Sequence, residues 1–383
     1  MYLEKGISAQ AIKKKLEGHR QKDHKYLDGK IFNSICTEPL IVAKDAYQQF
    51  LSTNLGDKRI YRGTAEIERE TVTMLGEIFG NKDAPGSIVS GGTEANILAL
   101  YAARQIAEKK GKEKFEVIVP ESVHFSIIKA AKLLNLKLVF TKLDSSYRAD
   151  PEAMKDSITD NTIAIVVSAG TSELGMIDPY DKVEKIAKER ELYFHIDAAS
   201  GGFILPFQEE PRRILLQNGV SSITVDPHKY GFSVIPSGAI LFKDKEIMDH
   251  IQFPSFFDGT QAHNTVLGTR SGAGAAATYA VMSYMGRFGY GNCVKKILEI
   301  THLGEQYVVK KGLVLFQKSD LNIISICSKN PVIIQEILEE QGFIISVCKK
   351  YNVIRLVIHL QHTYPDVVKV IDLIQELESR VCV

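Results

Sequence analysis

The sequence predicts an α/β fold with a mostly parallel central sheet and a small α+β domain at its C-terminal end. Strands and helices alternate between residues 87 and 242, and a mixed order follows after about Gly291. The length of 383 residues is too great for one small core. We therefore expect an N-terminal helical segment (1–58), a large domain (59–290) and a small α+β domain (291–383).

The elements are predicted in chain order from the spacing of apolar residues. The N-terminal segment is polar with helical spacing, as in Ile12 and Leu16. Seven β-rich runs follow, at residues 87–89, 117–119, 137–140, 163–167, 192–196, 223–225 and 239–242. Helices are predicted between many of them, for example at 94–109, 126–134 and 179–190. The last part is predicted as helix 294–311, strand 322–326, helix 331–341, strands 343–347 and 353–358, and helix 366–380.

Charge and composition argue against several classes of partner. The formal net charge is +1 and no basic cluster is interleaved with aromatic residues, so we expect neither nucleic acid nor an anionic membrane as a partner. No apolar run reaches the roughly 20 residues that span a bilayer, and the first residues lack the apolar region of a signal peptide. The five cysteines form no CxxC pair, which predicts free thiols in a cytoplasmic protein and no metal.

A glycine-rich turn follows the first predicted strand and begins a helix. It reads Ser90-Gly91-Gly92-Thr93. Glycine allows close approach of the backbone, and the first N–H groups of a helix lack internal partners, so this turn could bind a phosphate. Glycine that merely makes the turn explains the pattern equally well. The turn is not a Walker motif, because no Gly-Lys-Ser/Thr follows at the required spacing.

Three titratable residues follow other predicted strands in the same way. His124 follows the run 117–119, Asp197 follows the run 192–196, and Lys229 follows the run 223–225. Each has an ordinary structural explanation: a helix-start histidine, a capping aspartate and a surface lysine. A desolvated lysine is also the amine that forms Schiff bases. Because ligands bind at the carboxyl ends of strands in open α/β sheets, these residues are candidates for one site.

Together these residues match the needs of pyridoxal 5′-phosphate (PLP). This cofactor needs a phosphate cradle, a lysine, an acid facing its pyridine nitrogen and a group packed on its ring. The sequence offers one candidate for each, in order along successive strand ends.

Longer segments resemble one family. The chain is similar to the group II decarboxylases, which are PLP enzymes of fold type I, and particularly to the archaeal L-tyrosine/L-aspartate decarboxylases. The matching segments include VSGGTEANILAL (89–100), IVPESVHFS (118–126), AGTSELGMID (169–178), HIDAASGGFILPF (195–207), SITVDPHKYGFSVIPSGAILFKD (222–244), LGTRSGAGAAATYAVMSYMGRFGY (267–290) and ISVCKKYNVIRLVI (345–358). The resemblance implies a fold-type-I PLP-dependent transferase fold and decarboxylation of an L-amino acid.

The resemblance also implies roles for individual residues. Lys229 would carry the cofactor as a Schiff base and Asp197 would pair with the pyridine nitrogen. His124 and Ala199 would pack on the two faces of the ring. Arg355 would bind the α-carboxylate of the substrate. The remaining candidates are phosphate ligands or neighbours of the ring oxygen: Gly92, Thr93, Thr171, Ser222 and His228.

The resemblance further implies a homodimer with shared active sites. The segment Gly268-Thr269-Arg270 would bring Thr269 to the phosphate region of the partner subunit. The apolar stretch 272–286 is then expected in the core or in this interface.

The chain departs from the family pattern in two places. The segment 253–266 has no tyrosine, so His263 or His124 would have to protonate the product. The usual Gly-Asp-Pro-Gly-Leu stretch of the family reads Gly56-Asp57-Lys58-Arg59-Ile60 here. If Lys58, Arg59 or Arg62 faces the substrate mouth, a second carboxylate gains a charged partner, which favours L-aspartate over L-tyrosine as substrate. Phenylalanines at 253, 256 and 257 favour L-tyrosine instead.

Other functions are compatible with the same fold. An aminotransferase or a carbon–carbon lyase would use the same cofactor, because a fold does not fix a reaction. A non-catalytic binding protein is the alternative from another class, and the complete set of His124, Asp197 and Lys229 argues against it.

Overall fold

The computed structural model describes residues 5–212, 214–255 and 262–381. The first helices are α1 (Ala9–Arg20), α2 (Ile41–Gln49) and α3 (Arg62–Ile78). Helix α1 buries none of its side chains, whereas α3 has a buried face that includes Glu68. The N-terminal segment is thus helical only in part, because residues 21–40 are mostly irregular and form a short bridge from Ile31 to Ile344.

Strands and helices then alternate as predicted. They are β1 (Gly86–Val89), α4 (Gly92–Lys109), β2 (Glu116–Pro120), α5 (Phe125–Leu133), β3 (Lys137–Thr141), α6 (Pro151–Asp156), β4 (Thr162–Ser168), α7 (Tyr180–Glu189), β5 (Tyr193–Asp197), β6 (Ser222–Val225), β7 (Gly238–Phe242) and α8 (Lys245–Asp249). All seven predicted runs are strands, with ends that differ by one residue in most cases.

Within the described residues, these strands form one seven-stranded sheet in the order β1-β7-β6-β5-β4-β2-β3. Strand β7 is antiparallel to both of its neighbours, β1 and β6, and the remaining pairs are parallel. Apolar side chains cover both faces of the sheet: on β4, Ile165 and Val167 belong to one buried cluster and Val166 to another. This arrangement confirms the predicted α/β class.

The chain then passes through β8 (Phe253–Pro254) and β9 (Ala262–His263) into the long helix α9 (Ala273–Lys310). The helix is broken at Gly286, whose φ of 52° is left-handed. It begins well before the predicted residue 294, because the small residues from Ala273 to Ala277 pack into the core. The first half of the apolar stretch 272–286 is therefore core.

A small second sheet follows the long helix. Its elements are β10 (Leu315–Gln317), β11 (Ile323–Cys327), α10 (Pro331–Glu340), β12 (Ser346–Cys348), β13 (Val353–Val357) and α11 (Tyr364–Val381). The strand order is β10-β11-β13-β12, and all pairs are antiparallel. The α+β character is as predicted, although β10 was missed and β12 is shorter than the predicted run. None of the helices in the described ranges is long and apolar enough to cross a membrane.

Candidate active site

A cavity of about 340 Å³ lies at the carboxyl edge of the parallel strands. The ends of β1, β2, β4, β5 and β6 all contribute to it, as expected for strands that run in one direction. Its lining includes the predicted residues Gly92, Thr93, His124, Asp197, Ala199, His228 and Lys229. The structure thus brings together seven candidates that are spread over 138 positions of the sequence.

The glycine-rich turn forms one wall of this cavity. Helix α4 begins at Gly92, so the N–H groups of its first turn lie beside the cavity. The Glu94 carboxylate accepts hydrogen bonds from the backbone N–H of Ser90 (2.8 Å) and from its hydroxyl (2.7 Å), which holds the turn in place. A Cβ at Gly92 would lie 2.9 Å from Oδ2 of Asp226, so a larger residue there would displace that carboxylate.

Lys229 forms an ion pair with Asp226 in the lining of the same cavity. The Nζ of Lys229 is 3.2 Å from Oδ2 of Asp226, and both side chains are largely buried. His228 directs Nε2 towards the same carboxylate oxygen, at 3.7 Å, while its Nδ1 bonds to the carbonyl of Ser237. The other oxygen, Oδ1 of Asp226, is buried without a hydrogen-bond partner among the described residues. Asp226 was not singled out from the sequence, although it stands in the same DPHK motif as Lys229.

Asp197 lies at the end of β5 and lines the same cavity as Lys229. Its Oδ2 accepts a hydrogen bond from the amide of Asn96 (2.8 Å) and its Oδ1 accepts one from the N–H of Ala199 (3.1 Å). These donors fix the carboxylate in one orientation. Sequence reasoning missed Asn96, which lies one helical turn after Gly92 in the VSGGTEAN segment, and that spacing was the available signal.

His124 is the N-cap of α5 and its ring faces the cavity. Its Nδ1 accepts from the N–H of Ser126 (3.3 Å) and lies 2.8 Å from the Ser126 hydroxyl. Burial lowers the pKa of His124 below its usual value. The imidazole is therefore neutral at neutral pH and presents an uncharged ring to the cavity.

A second cavity of about 780 Å³ adjoins the first. The two cavities share the residues Ser122, His124, Ser172 and Lys229. The second cavity is also lined by apolar residues from distant parts of the chain, including Ile35, Val123, Phe125, Ile128 and Val347. It is large enough for an amino-acid side chain next to Lys229.

Arg355 of β13 lies in the wall of this second cavity. Its NH1 donates to the carbonyl of Asn33 (2.9 Å) and to the hydroxyl of Ser346 (2.9 Å). Its Nε is buried and, among the described residues, has no hydrogen-bond partner. Glu173 lines the same cavity and interacts with Arg355 electrostatically. Burial lowers the pKa of Arg355 to about 10, so the guanidinium stays charged at neutral pH.

Besides Arg355, three predicted residues do not line the first cavity. Ser222 lies at the amino end of β6, with its hydroxyl bonded to Tyr193 and next to His195, so its prediction as a phosphate ligand is not supported by its position. Thr171 turns its hydroxyl to the N–H of Met176 (3.0 Å), while its neighbours Gly170 and Ser172 line the cavity instead.

Thr269 is the third of these residues. It lies beside a small cleft with Arg270 and Pro236, and it does not line either of the two cavities in this chain. Its predicted contact with a partner subunit therefore stays a prediction.

The described residues at which the chain departs from the family pattern do not line either cavity; they include Lys58, Arg59, Arg62, Phe253 and His263. Lys58 is 4.0 Å from Glu68, and Arg59 is 3.7 Å from Asp57. His263 pairs with Phe253 in a short hairpin. Residues 256 and 257 lie outside the described ranges. Of the two histidines considered as proton donors, His124 lines the cavities and His263 does not.

Comparison with known proteins identifies the family. The conserved domain of pyridoxal-dependent decarboxylases matches residues 13–328. A probable L-tyrosine/L-aspartate decarboxylase from Methanothermobacter thermautotrophicus is 42% identical over 340 residues, which cover 87% of this chain and 93% of that protein. The L-tyrosine/L-aspartate decarboxylase of Methanocaldococcus jannaschii is 38% identical over 382 residues, covering 95% and 96% of the two chains.

Solved structures share the fold at lower identity. A sphingosine-1-phosphate lyase from Burkholderia pseudomallei has a TM-score of 0.89 at 23% identity, over 99% of this chain and 92% of that one. A glutamate decarboxylase from Lactobacillus brevis has a TM-score of 0.87 at 20% identity, over 98% and 93% of the two chains. The fold is that of the fold-type-I PLP enzymes.

The fold and the site define a PLP-dependent lyase. The chain belongs to the family of pyridoxal-dependent decarboxylases. It therefore decarboxylates an amino acid with PLP as its cofactor.

The residues of the first cavity fit this cofactor. The Ser122 hydroxyl and Oδ1 of Asp226 are buried in its wall without hydrogen-bond partners among the described residues. The glycine at position 92 leaves the space that a Cβ would fill. When bound, PLP supplies an aldehyde for an amine and an electron-withdrawing ring that stabilises negative charge at Cα. The described residues contain no cluster of three His, Cys, Asp or Glu suited to a metal.

Proposed function

We propose that this decarboxylase removes the α-carboxylate of L-tyrosine and of L-aspartate. One observation carries the proposal: the buried, charged Arg355 keeps its Nε without a hydrogen-bond partner among the described residues, and it lines a cavity that also reaches Lys229. Glu173 of the same lining interacts with Arg355 electrostatically but forms no ion pair with it, so an incoming carboxylate could make the charge-assisted hydrogen bond that Nε lacks.

The substrate names come from the relatives. Two of them, at 42% and 38% identity, are named for both amino acids. The apolar residues of the second cavity suit the phenol ring of tyrosine. The cationic residues Lys349 and Lys350 in the same lining suit the side-chain carboxylate of aspartate. Lys58 and Arg59 lie outside both cavities of this chain. They therefore no longer favour aspartate over tyrosine as the substrate.

Three residues would hold the cofactor for the reaction. Lys229 would bind it covalently through Nζ. Asp197, kept in place by Asn96 and Ala199, would hold the pyridine nitrogen in its protonated form and strengthen the electron sink. His124 would lie against the ring as a neutral imidazole and restrict its tilt.

Arg355 would orient the substrate. When bound, the cofactor would supply the electron-withdrawing group that makes loss of the carboxylate possible. A guanidinium on the cavity wall would hold that carboxylate in one position. Cα must then receive a proton. His124 lines both cavities and is our candidate to relay it; as a neutral imidazole it would first take up a proton from solvent and then donate it.

We also propose a homodimer with shared active sites. Large apolar side chains are exposed on the surface of this chain near the long helix, including Tyr284 (72% exposed) and Phe288 (81% exposed). A second copy would cover them and bring Thr269 to its phosphate region. The four described cysteines, Cys36, Cys293, Cys327 and Cys348, are free, which agrees with the prediction of a cytoplasmic location.

The test compares kcat/KM for carbon dioxide release from L-tyrosine and L-aspartate in the wild type and in Arg355→Met. If Arg355 binds the α-carboxylate, both values fall together, by roughly 10- to 100-fold. Lys349→Met, an exposed lysine in the same lining, is the matched control and should leave tyrosine turnover unchanged. A loss with aspartate alone would assign Arg355 to the side-chain carboxylate. No carbon dioxide from either amino acid would overturn the proposed substrates.

The product distinguishes the alternatives. An amine product supports decarboxylation, whereas a keto acid with loss of the amino group would identify an aminotransferase. A preference of tenfold or more for one substrate corresponds to roughly 1.4 kcal/mol of differential transition-state binding.

A further inference from the structure

A line of buried hydrogen-bonding side chains runs from Asp197 through the central sheet. It passes through Asn96, His195 and Ser222 to Tyr193. All of them are at most 7% exposed. A buried polar group without a partner is costly, so a network of this kind persists only when each donor meets an acceptor.

The orientation of Asn96 follows from its neighbours. Its Nδ2 lies 2.8 Å from Oδ2 of Asp197 and 2.8 Å from the hydroxyl of Ser126. A carboxylate can only accept, so the amide nitrogen must face Asp197. The carbonyl Oδ1 of Asn96 then faces the other way, towards Thr224 (2.7 Å) and His195.

This orientation fixes the proton on His195. The Nε2 of His195 is 3.0 Å from Oδ1 of Asn96, which is an acceptor, so Nε2 must carry the hydrogen. The neutral ring then has a bare Nδ1, and this atom accepts from the hydroxyl of Ser222 at 2.8 Å. Burial keeps the imidazole uncharged, because it lowers the pKa of His195 to about 4.

Tyr193, at the end of the network farthest from Asp197, is its first hydrogen-bond donor. The Tyr193 hydroxyl donates to the Ser222 hydroxyl at 2.8 Å. Burial raises the pKa of Tyr193, so its phenol keeps the proton. Every hydrogen bond therefore points in one direction, from Tyr193 through Ser222, His195 and Asn96 to Asp197.

Asn96 is also linked to His124, the residue proposed to lie against the cofactor ring. Its other amide hydrogen goes to the Ser126 hydroxyl, which in turn lies 2.8 Å from Nδ1 of His124. Because Nδ1 of His124 also accepts from the backbone N–H of Ser126, the hydroxyl must donate to it. One amide thus orients both Asp197 and His124.

We infer that Asn96 and His195 are positioning residues, and that the Nε2–H tautomer of His195, together with the Thr224 hydroxyl, stabilises the orientation in which Asn96 holds both Asp197 and His124. The inference rests on the proposed roles of those two residues at the cofactor. It also explains the position of Ser222, whose hydroxyl is part of this line rather than of a phosphate site.

The tautomer is tested without any measurement of activity. In protein labelled with 15N-histidine, the His195 signals are assigned by their loss in His195→Gln. We expect a protonated Nε2 and a bare Nδ1 between pH 6 and 8, with and without PLP. A proton on Nδ1, or on both nitrogens, in that range would overturn the inference. The NMR result does not depend on the role of Asp197. The proposed role of Asp197 is tested separately: an Asp197→Asn variant with full activity would contradict that role but not the tautomer.

Substitutions test the consequence for the cofactor. His195→Leu removes the donor to Asn96, and we expect the dissociation constant of PLP to rise roughly three- to tenfold, the effect of one lost hydrogen bond. His195→Gln can place a side-chain N–H near the position of Nε2 and should restore most of the affinity. His362→Leu removes an equally buried imidazole that does not line either cavity, and it should leave PLP affinity unchanged. Equal PLP affinity in the leucine and glutamine variants of His195 would contradict the inference.

Discussion

The amine of Lys229 and the carboxylate of Asp226 form a buried ion pair at 3.2 Å, three residues apart on the turn that follows β6. The pair explains how a lysine can remain at a buried strand end, because each charge offsets the desolvation of the other. It also directs Nζ into the cavity that contains Asp197 and His124.

Replacing Lys229 by alanine should abolish both the yellow colour of the bound cofactor and catalysis. Borohydride treatment of the wild type should attach the cofactor to Lys229, as peptide mapping would show. Lys243→Ala is the matched control, because Lys243 forms a more exposed pair with Asp244 at 3.4 Å after β7. Attachment to a different lysine in the wild type would contradict the assignment.

Replacing Asp197 by asparagine should leave the protein folded and reduce kcat severely. The ring nitrogen would lose an anionic partner, and removing a preorganised group of this kind costs about 2.7–4 kcal/mol, or roughly 100- to 1000-fold. The measurement is kcat with PLP occupancy determined in the same sample. Near-normal turnover at full occupancy would show that a different acid faces the ring.

The buried pair of Glu68 and Arg270 should be important for stability. Arg270 contacts Glu68 at 2.6 Å and also donates to the carbonyl of Ile88, so it ties α3 and β1 to the segment that contains Thr269. Arg270→Met leaves the carboxylate buried without its partner, and we expect a loss of about 3–5 kcal/mol in the free energy of unfolding.

Arg380→Met is the control for this prediction. Arg380 pairs with Glu376 on the surface, and its loss should cost less than about 1 kcal/mol. Denaturant unfolding curves measure both variants. Similar losses in the two would show that burial does not set the strength of the Glu68–Arg270 pair.

Buried histidines should make the protein sensitive to acid. Burial lowers the pKa values of His195, His359 and His362 to about 4, 3 and 4. The unfolded chain, with histidine pKa values of about 6.5, then binds more protons below that pH, so stability falls as pH decreases from about 6.5 to 4. Burial raises the pKa of Asp178 to about 6, so the folded chain binds one more proton than the unfolded chain over part of this range. This group therefore partly offsets the loss of stability caused by the histidines.

The measurement is proton uptake on unfolding near pH 5. His359→Phe should reduce the uptake by about one proton, because that ring is buried and becomes charged only on unfolding. Neither ring nitrogen of His359 has a hydrogen-bond partner among the described residues, so a phenyl ring loses no such bond. An unchanged uptake in this variant would show that His359 already titrates in the folded state.

If the chain forms the proposed dimer, a charged residue on the exposed face of the long helix should weaken the association of the two subunits. Phe288→Asp should weaken association, since it would place a carboxylate in the interface. Phe140→Asp is the control: Phe140 is 52% exposed on the edge strand β3. Sedimentation of both variants measures the outcome. A wild-type chain that is monomeric and active at assay concentration would contradict the proposal.

The order of elements in the large domain could be predicted from local patterns. Short apolar runs separated by amphipathic helices predicted all seven strands of the central sheet, because residue spacing reports burial on two faces. Chain order also placed His124, Asp197 and Lys229 at the carboxyl ends of strands, where a parallel sheet gathers them. Helix α9 was predicted too late, because its first turns are glycine and alanine, whose spacing carries no amphipathic signal.

The sequence by itself determined the fold class, the candidate cofactor and the members of the site that follow strands directly. Only the tertiary structure decided which neighbouring side chains face the cavity. It turned Thr171 away and Ser172 inwards, placed Ser222 at the wrong end of β6 for a phosphate ligand, and brought Arg355 from the second sheet to the cavity of Lys229. The physical reason is that these outcomes depend on loop geometry, on position along a strand and on how two sheets pack. Local residue spacing reports none of these three.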